Sequence, residues 1–444
     1  MSRVPREEAP AAARAQPNGR SLRSLLVLAR GHLGNFSAFG FLQAASFLIP
    51  LITIPYFARV LGISGMGVLA IANAAGLTSG VIMDYAIQLS GTRFAASHED
   101  DHSAINKYLD ISILVKLILL MPIVAVLGIS ALLFDLVAEH VFVFVWALIS
   151  AATICLFPQW LFQGLLAMPS AARILVTSRL AAAAAALLLV RSAGDIYLVP
   201  MTQALGGIAS LAIATVMLRR RYGITPRLAR RAEAVTMLRQ NWTLFSATAW
   251  GATYVYGNVL IMSTMLSTTS IGFYSIAQRI AQAFVSMFNI VAQTAFPNYV
   301  RSHRRSGGQG LRRQVALYMA LVALATLIAV AIMYALRYQI YGFFAGELNE
   351  TGVTVFVIWL IAAIFMIIGV SLNPLMVVLH RDDQMARIYR WTGLAFLLCA
   401  PFACAQFGII GMASAIVLTE FSIAFFFALV VWRGLREVRE ESAL

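Results

Sequence analysis

Charge is what this sequence has least of. Only 12% of its 444 residues are Asp, Glu, Lys or Arg, against 60% that are hydrophobic, and the mean hydropathy is +0.82. A soluble domain carries about 25% charged residues, so a water-soluble fold is excluded and the chain reads as a polytopic membrane protein. Acids are scarcer than bases, 19 against 33. In a soluble protein the net charge of +14 would point to nucleic acid. Here its placement relative to the membrane matters instead, and no nucleic-acid partner is expected. Cysteine is nearly absent. Cys155, Cys399 and Cys404 all lie in apolar runs, which rules out a disulfide framework or zinc spacing. No zinc-protease helix, phosphate-cradling glycine loop or nucleophile elbow occurs. HEDD (98–101) and HRDD (380–383) read as solvated turns, not convergent metal ligands. No enzyme and no cofactor are expected. A membrane glycosyltransferase or polymerase would need a large catalytic loop, and the longest loop here spans 219–241.

Long apolar runs fill the chain instead. The stretch from Asn35 to Arg93 sets the pattern. An apolar segment with Pro50 and Pro55 ends in IPYFARVLG (54–62), a short ISG turn follows, and a second run ends in MDYAIQLSGTR (83–93) with Asp84 still inside it. About 20 apolar residues cross the hydrocarbon, so this is a helical hairpin. Proline removes a backbone donor and bends a helix, and in lipid a bend survives where protein or a water-filled cavity covers it. The hairpin reads as a cavity wall, and bends are expected at Pro50, Pro55, Pro158, Pro297 and Pro374. Twelve spans are expected: 36–59, 66–89, 111–133, 141–163, 170–190, 195–218, 242–266, 270–298, 314–336, 353–378, 389–406 and 409–432. They divide the chain into a cytoplasmic tail with an interfacial helix (1–34), a six-helix lobe (35–218), an Arg-rich linker (219–241), a second six-helix lobe (242–432) and a cytoplasmic tail (433–444). The first apolar run is too long for a signal peptide and lacks a small-residue cleavage site.

Lysine and arginine set the orientation. With the N-terminus inside, 27 of the 33 fall in inside segments, three in outside turns (Arg59, Arg191, Arg337) and three within spans (Lys116, Arg179, Arg279). Both termini are expected in the cytoplasm. The chain also repeats itself. GVLAIAN (67–73) is answered by GFYSIAQ (272–278), 205 residues on and at the equivalent span, and Pro158 by Pro374. Six spans per half relate the halves by an axis along the membrane normal, with the binding site between them.

Six ionisable residues lie in or beside spans. Arg179 and Arg279 each sit nine residues into a span, about 13 Å deep at about 1.5 Å per residue, and Glu420 lies near the middle of its own. A charge at that depth costs about 2.5–3.5 kcal/mol, so each needs water, a substrate or an ion pair. Asp84, Lys116 and Arg59 lie nearer span ends, where snorkelling to the headgroups competes with a cavity role. Four cations against two acids tilt the cavity toward an anionic substrate. The substrate-binding candidates are Arg279, Arg59, Arg179 and Lys116. Asp84 and Glu420 are the candidates for coupling to an ion. Trp160, Trp242, Trp250 and Trp391 read mostly as interface anchors, with stacking on a sugar the alternative for one or two of them.

IPYFARVLG, MDYAIQLSGTR, FPQWLFQGL (157–165) and FPNYVR (296–301) resemble the motifs of Wzx-type flippases of O-antigen and exopolysaccharide repeat units. These belong to the multidrug/oligosaccharidyl-lipid/polysaccharide exporter superfamily. The likeness runs over nearly the whole chain. It implies an all-α integral membrane protein of about 12 transmembrane helices, in two six-helix lobes around a central cavity (MATE-like), in the bacterial inner membrane. The implied substrate is an undecaprenyl-pyrophosphate-linked oligosaccharide, flipped by alternating access coupled to an ion gradient. Membrane lipids and the polymerase and export proteins of polysaccharide assembly are the implied partners. A drug or small-molecule exporter on the same fold is the rival reading, and it would favour acids over cations in the cavity. The chain departs from the family in one place. Leu166 and Ala167 follow FQGL where the family often has an acidic then a basic residue, which leaves a cytoplasmic gate of that pair without its charges.

Overall fold

The computed structural model describes the backbone of residues 22–225, 227 and 229–441, with side chains except at 22–39, 247, 252, 253, 290, 293–312 and 438–441. Helices account for the regular structure, and no strand occurs among the described residues. In hydrocarbon a helix satisfies every backbone group within its own segment, which an open sheet edge does not.

The first helix, α1 (Leu22–Asp84), is a folded pair of legs. It is already helical at Leu22, so the segment expected as a separate interfacial helix runs on into the first span. Its one non-helical residue is Gly62, at φ 73° and ψ 170°, a conformation that a Cβ forbids. The expected ISG turn is therefore a single-residue break just before it. Pro50 and Pro55 do not interrupt the helix, and neither does Pro374 in α12 (Glu350–Val378). Neighbouring helices can absorb a missing donor in a membrane bundle. Of these four prolines Pro158 alone lies at a break, between α5 (Val141–Leu156) and α6 (Gln159–Gly164). Pro297 and FPNYVR fall among residues whose side chains are not described.

An unexpected break lies inside the second span. Tyr85 and Ala86 have φ of 47° and 58° and are buried, and they separate α1 from α2 (Ile87–Ser97). HEDD then proves to be a capping turn. Asp101 accepts a bond from the Ala104 N–H at 2.9 Å to start α3 (His102–Leu133). After α4 (Asp135–Glu139), α5 and α6 come α7 (Met168–Leu189) and α8 (Leu198–Tyr222), whose last turn holds Arg219, Arg220 and Arg221. Cations there complement the helix dipole. The second half comprises α9 (Arg231–Ser263), α10 (Thr268–Ala335), α11 (Arg337–Ala345), α12 and α13 (Asp382–Glu441). Val285 and Val322 of α10 share a small core with Ala363 and Ile367 of α12, so the chain doubles back within α10. It folds again inside α13, at Gly408. HRDD runs from the turn before α13 into its first turn, and Arg381 pairs with Glu437. Against the twelve spans expected, eight stretches among the described residues are long and apolar enough to cross a membrane, and two of them contain the fold points Gly62 and Gly408.

Small residues set the helix contacts, as they do where lipid removes the hydrophobic drive between helices. A Cβ on Gly91 of α2 would lie 2.7 Å from the Trp160 ring of α6, and one on Gly164 would strike Ala95 of α2. Trp160 is fully buried in this clasp. It is not an interface anchor, whereas Trp242 and Trp391 are exposed. The halves meet through a second glycine pair. A Cβ on Gly67 would overlap the Thr268 carbonyl, and one on Gly272 the Ile63 carbonyl. Residues 63 and 268 are related by the same offset of 205 as 67 and 272, so the contact is reciprocal, as a two-fold axis requires. Ser64 and Thr268 close it with a hydroxyl hydrogen bond of 2.7 Å. Charge asymmetry assigns this end to the periplasm.

Candidate functional site

Inside the first lobe lies a cavity of about 360 Å³, walled by α1, α5, α7 and α8. One residue reaches it from the second half, Arg279 of α10. It sits immediately after the repeated GFYSIAQ, where the first copy has Ala74, so the shared fold does not demand a cation there. Arg179, Ser46, Asn73 and Gln203 add polar groups to the lining, which includes no Asp or Glu among the described residues. The Arg179 guanidinium donates to Ser46 Oγ. Arg279 has no hydrogen-bond or ion-pair partner among the described residues. Two guanidiniums thus line one cavity with no Asp or Glu among its described lining residues.

The other four candidates lie elsewhere. Lys116 does not snorkel. It is buried, with Nζ 3.5 Å from Asp84 Oδ1 and donating to the Cys155 carbonyl at 2.6 Å. Asp84 faces outward from this pair, and its Oδ2 accepts the Gln88 N–H at 3.2 Å. Arg59 is exposed at the outer end of the bundle, where it donates to the Phe343 carbonyl of α11 at 3.2 Å. Its guanidinium also lies 5.5 Å from the centre of the Phe343 ring. It links the two halves and stays out of the cavity. Glu420 of α13 is buried in the second half. No ion pair joins it to Arg279 among the described residues.

A second cavity of about 430 Å³ adjoins the first, with Gly76, Leu77, Ala151 and Ile154 lining both. Asp84, Gln88, Thr92, Gln163, Thr248 and Tyr256 line the rest of its polar wall. Gln88 and Gln163 meet at 3.4 Å. Both lie inside motifs singled out in the sequence, but an uncharged amide raises no desolvation alarm, so sequence reasoning passes over them. Beyond this cavity, Lys107 of α3 pairs with Glu233 of α9 at 2.9 Å, and that hydrogen bond holds the Glu233 carboxyl below the usual carboxylate range. No cluster of His, Cys, Asp and Glu suited to a metal ion occurs among the described residues.

A folded helical bundle with a cation-lined cavity in its interior defines a class, the multi-pass membrane transporter. Solved structures agree on the fold. The chain is similar to an inward-facing multidrug resistance MATE family transporter of the MOP superfamily, with TM-score 0.58 and 13% identity over 95% of this chain and 97% of that one. It is also similar to an outward-facing structure of such a transporter, with TM-score 0.56 and 12% identity over 92% and 96%. The family whose description is polysaccharide biosynthesis protein matches residues 33–303, more than half of the chain, and the chain belongs to it. Relatives include a "Putative O-antigen transporter" of Shigella dysenteriae, 25% identical over 401 residues, which are 86% of this chain and 96% of that protein. One of the same name from Escherichia coli (strain K12) is 24% identical over 256 residues, 57% of this chain and 61% of that one. The chain is thus a multi-pass protein of the bacterial inner membrane, and its relatives carry the names of transporters, not enzymes.

Proposed function

We propose that this transporter flips an undecaprenyl-pyrophosphate-linked oligosaccharide repeat unit from the cytoplasmic to the periplasmic leaflet, in the assembly of a surface polysaccharide. The observation that carries this reading is the cavity holding Arg179 and Arg279 with no acid on its described lining. A cavity built for cationic drugs would present carboxylates instead. The guanidinium fork suits a pyrophosphate, offering paired donors to its oxygens. The polyprenyl tail stays in lipid at the seam between the lobes, and the lobes rock so that the cavity faces each side in turn. Lys116 already balances Asp84. Glu420, buried and without an ion pair among the described residues, is therefore the first candidate for coupling the cycle to an ion gradient, and Asp84 the second.

Arg279 is the residue to test. Removing a hydrogen-bonding partner of a charged group costs about 1.5–3 kcal/mol, roughly tenfold to a hundredfold. Arg279→Ala should lose export by that factor at normal protein level and leave lipid-linked repeat units on the cytoplasmic leaflet. Arg279→Lys should rescue in part, because an ammonium keeps the charge but not the fork. If the arginine served only to balance Glu420, the double change Arg279→Ala with Glu420→Ala would restore export. That recovery would overturn the ligand reading.

A further inference from the structure

The second cavity differs in chemistry from the arginine cavity it adjoins. Its polar wall consists of two primary amides (Gln88, Gln163), two hydroxyls (Thr92, Thr248), the phenol of Tyr256 and the Asp84 carboxylate. Lys116 stands behind Asp84 with only 3% of its side chain exposed, against 27% for Asp84. The positive charge is therefore buried, while Asp84 lines the cavity with one oxygen toward Lys116 and the other accepting the Gln88 N–H. Such a wall offers donors and acceptors in pairs, an aromatic ring and one acceptor-only anion. Phosphate would find no unpaired cation there, because Lys116 is buried against Asp84. A polyol would meet amides that bind neighbouring hydroxyls, a carboxylate that accepts a hydroxyl or amide N–H, and a ring on which a pyranose face can lie.

We propose that this cavity is a sugar subsite, which takes the pyrophosphate-proximal pyranose of the substrate and prefers a neutral or N-acetylated sugar to a uronic acid. The inference rests on the reading of the arginine cavity as the pyrophosphate site, since the shared wall of Gly76, Leu77, Ala151 and Ile154 makes the two subsites neighbours. Charge is thus sorted along the substrate. The anion lies against the arginines, and the first sugar lies against amides and a carboxylate. With Lys116 engaged by Asp84, that position offers a second anion no free cation.

Binding to the purified full-length protein in detergent tests this with three probes: a polyprenyl pyrophosphate without sugar, the same lipid carrying N-acetylhexosamine, and the same lipid carrying a hexuronate. The wild-type protein should bind the N-acetylhexosamine probe about tenfold more tightly than the bare one, the worth of one or two neutral hydrogen bonds. The hexuronate probe should gain nothing over the bare lipid. The double change Gln88→Ala with Gln163→Ala should abolish the tenfold preference and leave the bare probe's affinity unchanged. Should that variant lose both probes, Gln163→Asn, which keeps an amide but shortens its reach, decides the matter. It should lose the sugar preference alone, and retention of the full preference overturns the subsite. Equal binding of all three probes by the wild type also overturns the subsite while the pyrophosphate site stands. Failure to bind even the bare probe overturns both.

Discussion

Lys116 shows how much a single side chain can mislead when only its depth is known. Its position near a span end fits a snorkelling lysine, yet the chain turns it inward onto Asp84 and the Cys155 carbonyl. A pair of this kind is weak evidence for stability as a whole, but removing one partner strands the other. Lys116→Met should destabilise the purified protein by about 3 kcal/mol, the low end for a broken buried pair because Asp84 keeps some exposure. The lowered thermal midpoint would show it. The double change Lys116→Met with Asp84→Asn removes both charges and should recover most of that loss. If the single change leaves the midpoint where it was, the pair is a surface contact. Arg59 teaches the same lesson in reverse. It is a cation at a span end, as expected, but its partner is a backbone carbonyl in the other half.

At the scale of elements, glycine decides where helices touch. The motifs MDYAIQLSGTR and FPQWLFQGL resemble those of a family, and the structure supplies a reason. Gly91 admits the Trp160 ring, Gly164 admits Ala95, and the two short helices α2 and α6 lock face to face. The break at Tyr85 and Ala86 turns α2 into this clasp and brings Gln88 to the second cavity. The reciprocal contact at Gly67 and Gly272 leaves even less room. Even Gly67→Ala or Gly272→Ala should impair transport, since a Cβ there meets backbone that cannot rotate away, at a cost of about 1–3 kcal/mol for an overpacked contact. Insertion and protein level should hold, because no span loses apolarity. Full transport by both variants would remove the argument that these sites pack as equivalents.

At the scale of the whole molecule, the halves are joined at the end that charge asymmetry assigns to the periplasm, through Gly67, Gly272, Arg59 and the Ser64–Thr268 hydrogen bond. At the other end, Asn241 of α9 donates to Ser90 of α2 at 3.0 Å and Phe245 stacks on Tyr85. Alternating access requires the outer contact to part during each cycle. In a cysteine-free background, Thr268→Cys alone should react with an impermeant thiol reagent applied to intact cells. The pair Ser64→Cys with Thr268→Cys should oxidise to a disulfide and stop transport until it is reduced. Transport by the cross-linked protein would mean that the outer ends stay together. A Thr268→Cys that reacts only after the membrane is opened would reverse the assigned orientation.

The sequence by itself determined the class, the orientation expected from 27 inside cations, the two-fold repeat and the depth expected of each charge within a span. These follow from composition and spacing along the chain, and a helix converts spacing directly into depth at a fixed rise per residue. The glycines of the repeat were legible for the same reason, because a fixed offset carries over into a symmetric contact. Tertiary structure alone decided which way each charge faces and what it meets. It sent Arg279 across to the other lobe's cavity, turned Lys116 back onto Asp84, and left Glu420 without an ion pair to either arginine among the described residues. It also chose which proline would break a helix, Pro158 and not Pro50 or Pro55. Partners that lie far apart in sequence meet only when helices pack, and the uncharged side chains of Gln88 and Gln163 gain meaning only once a cavity wall brings them together.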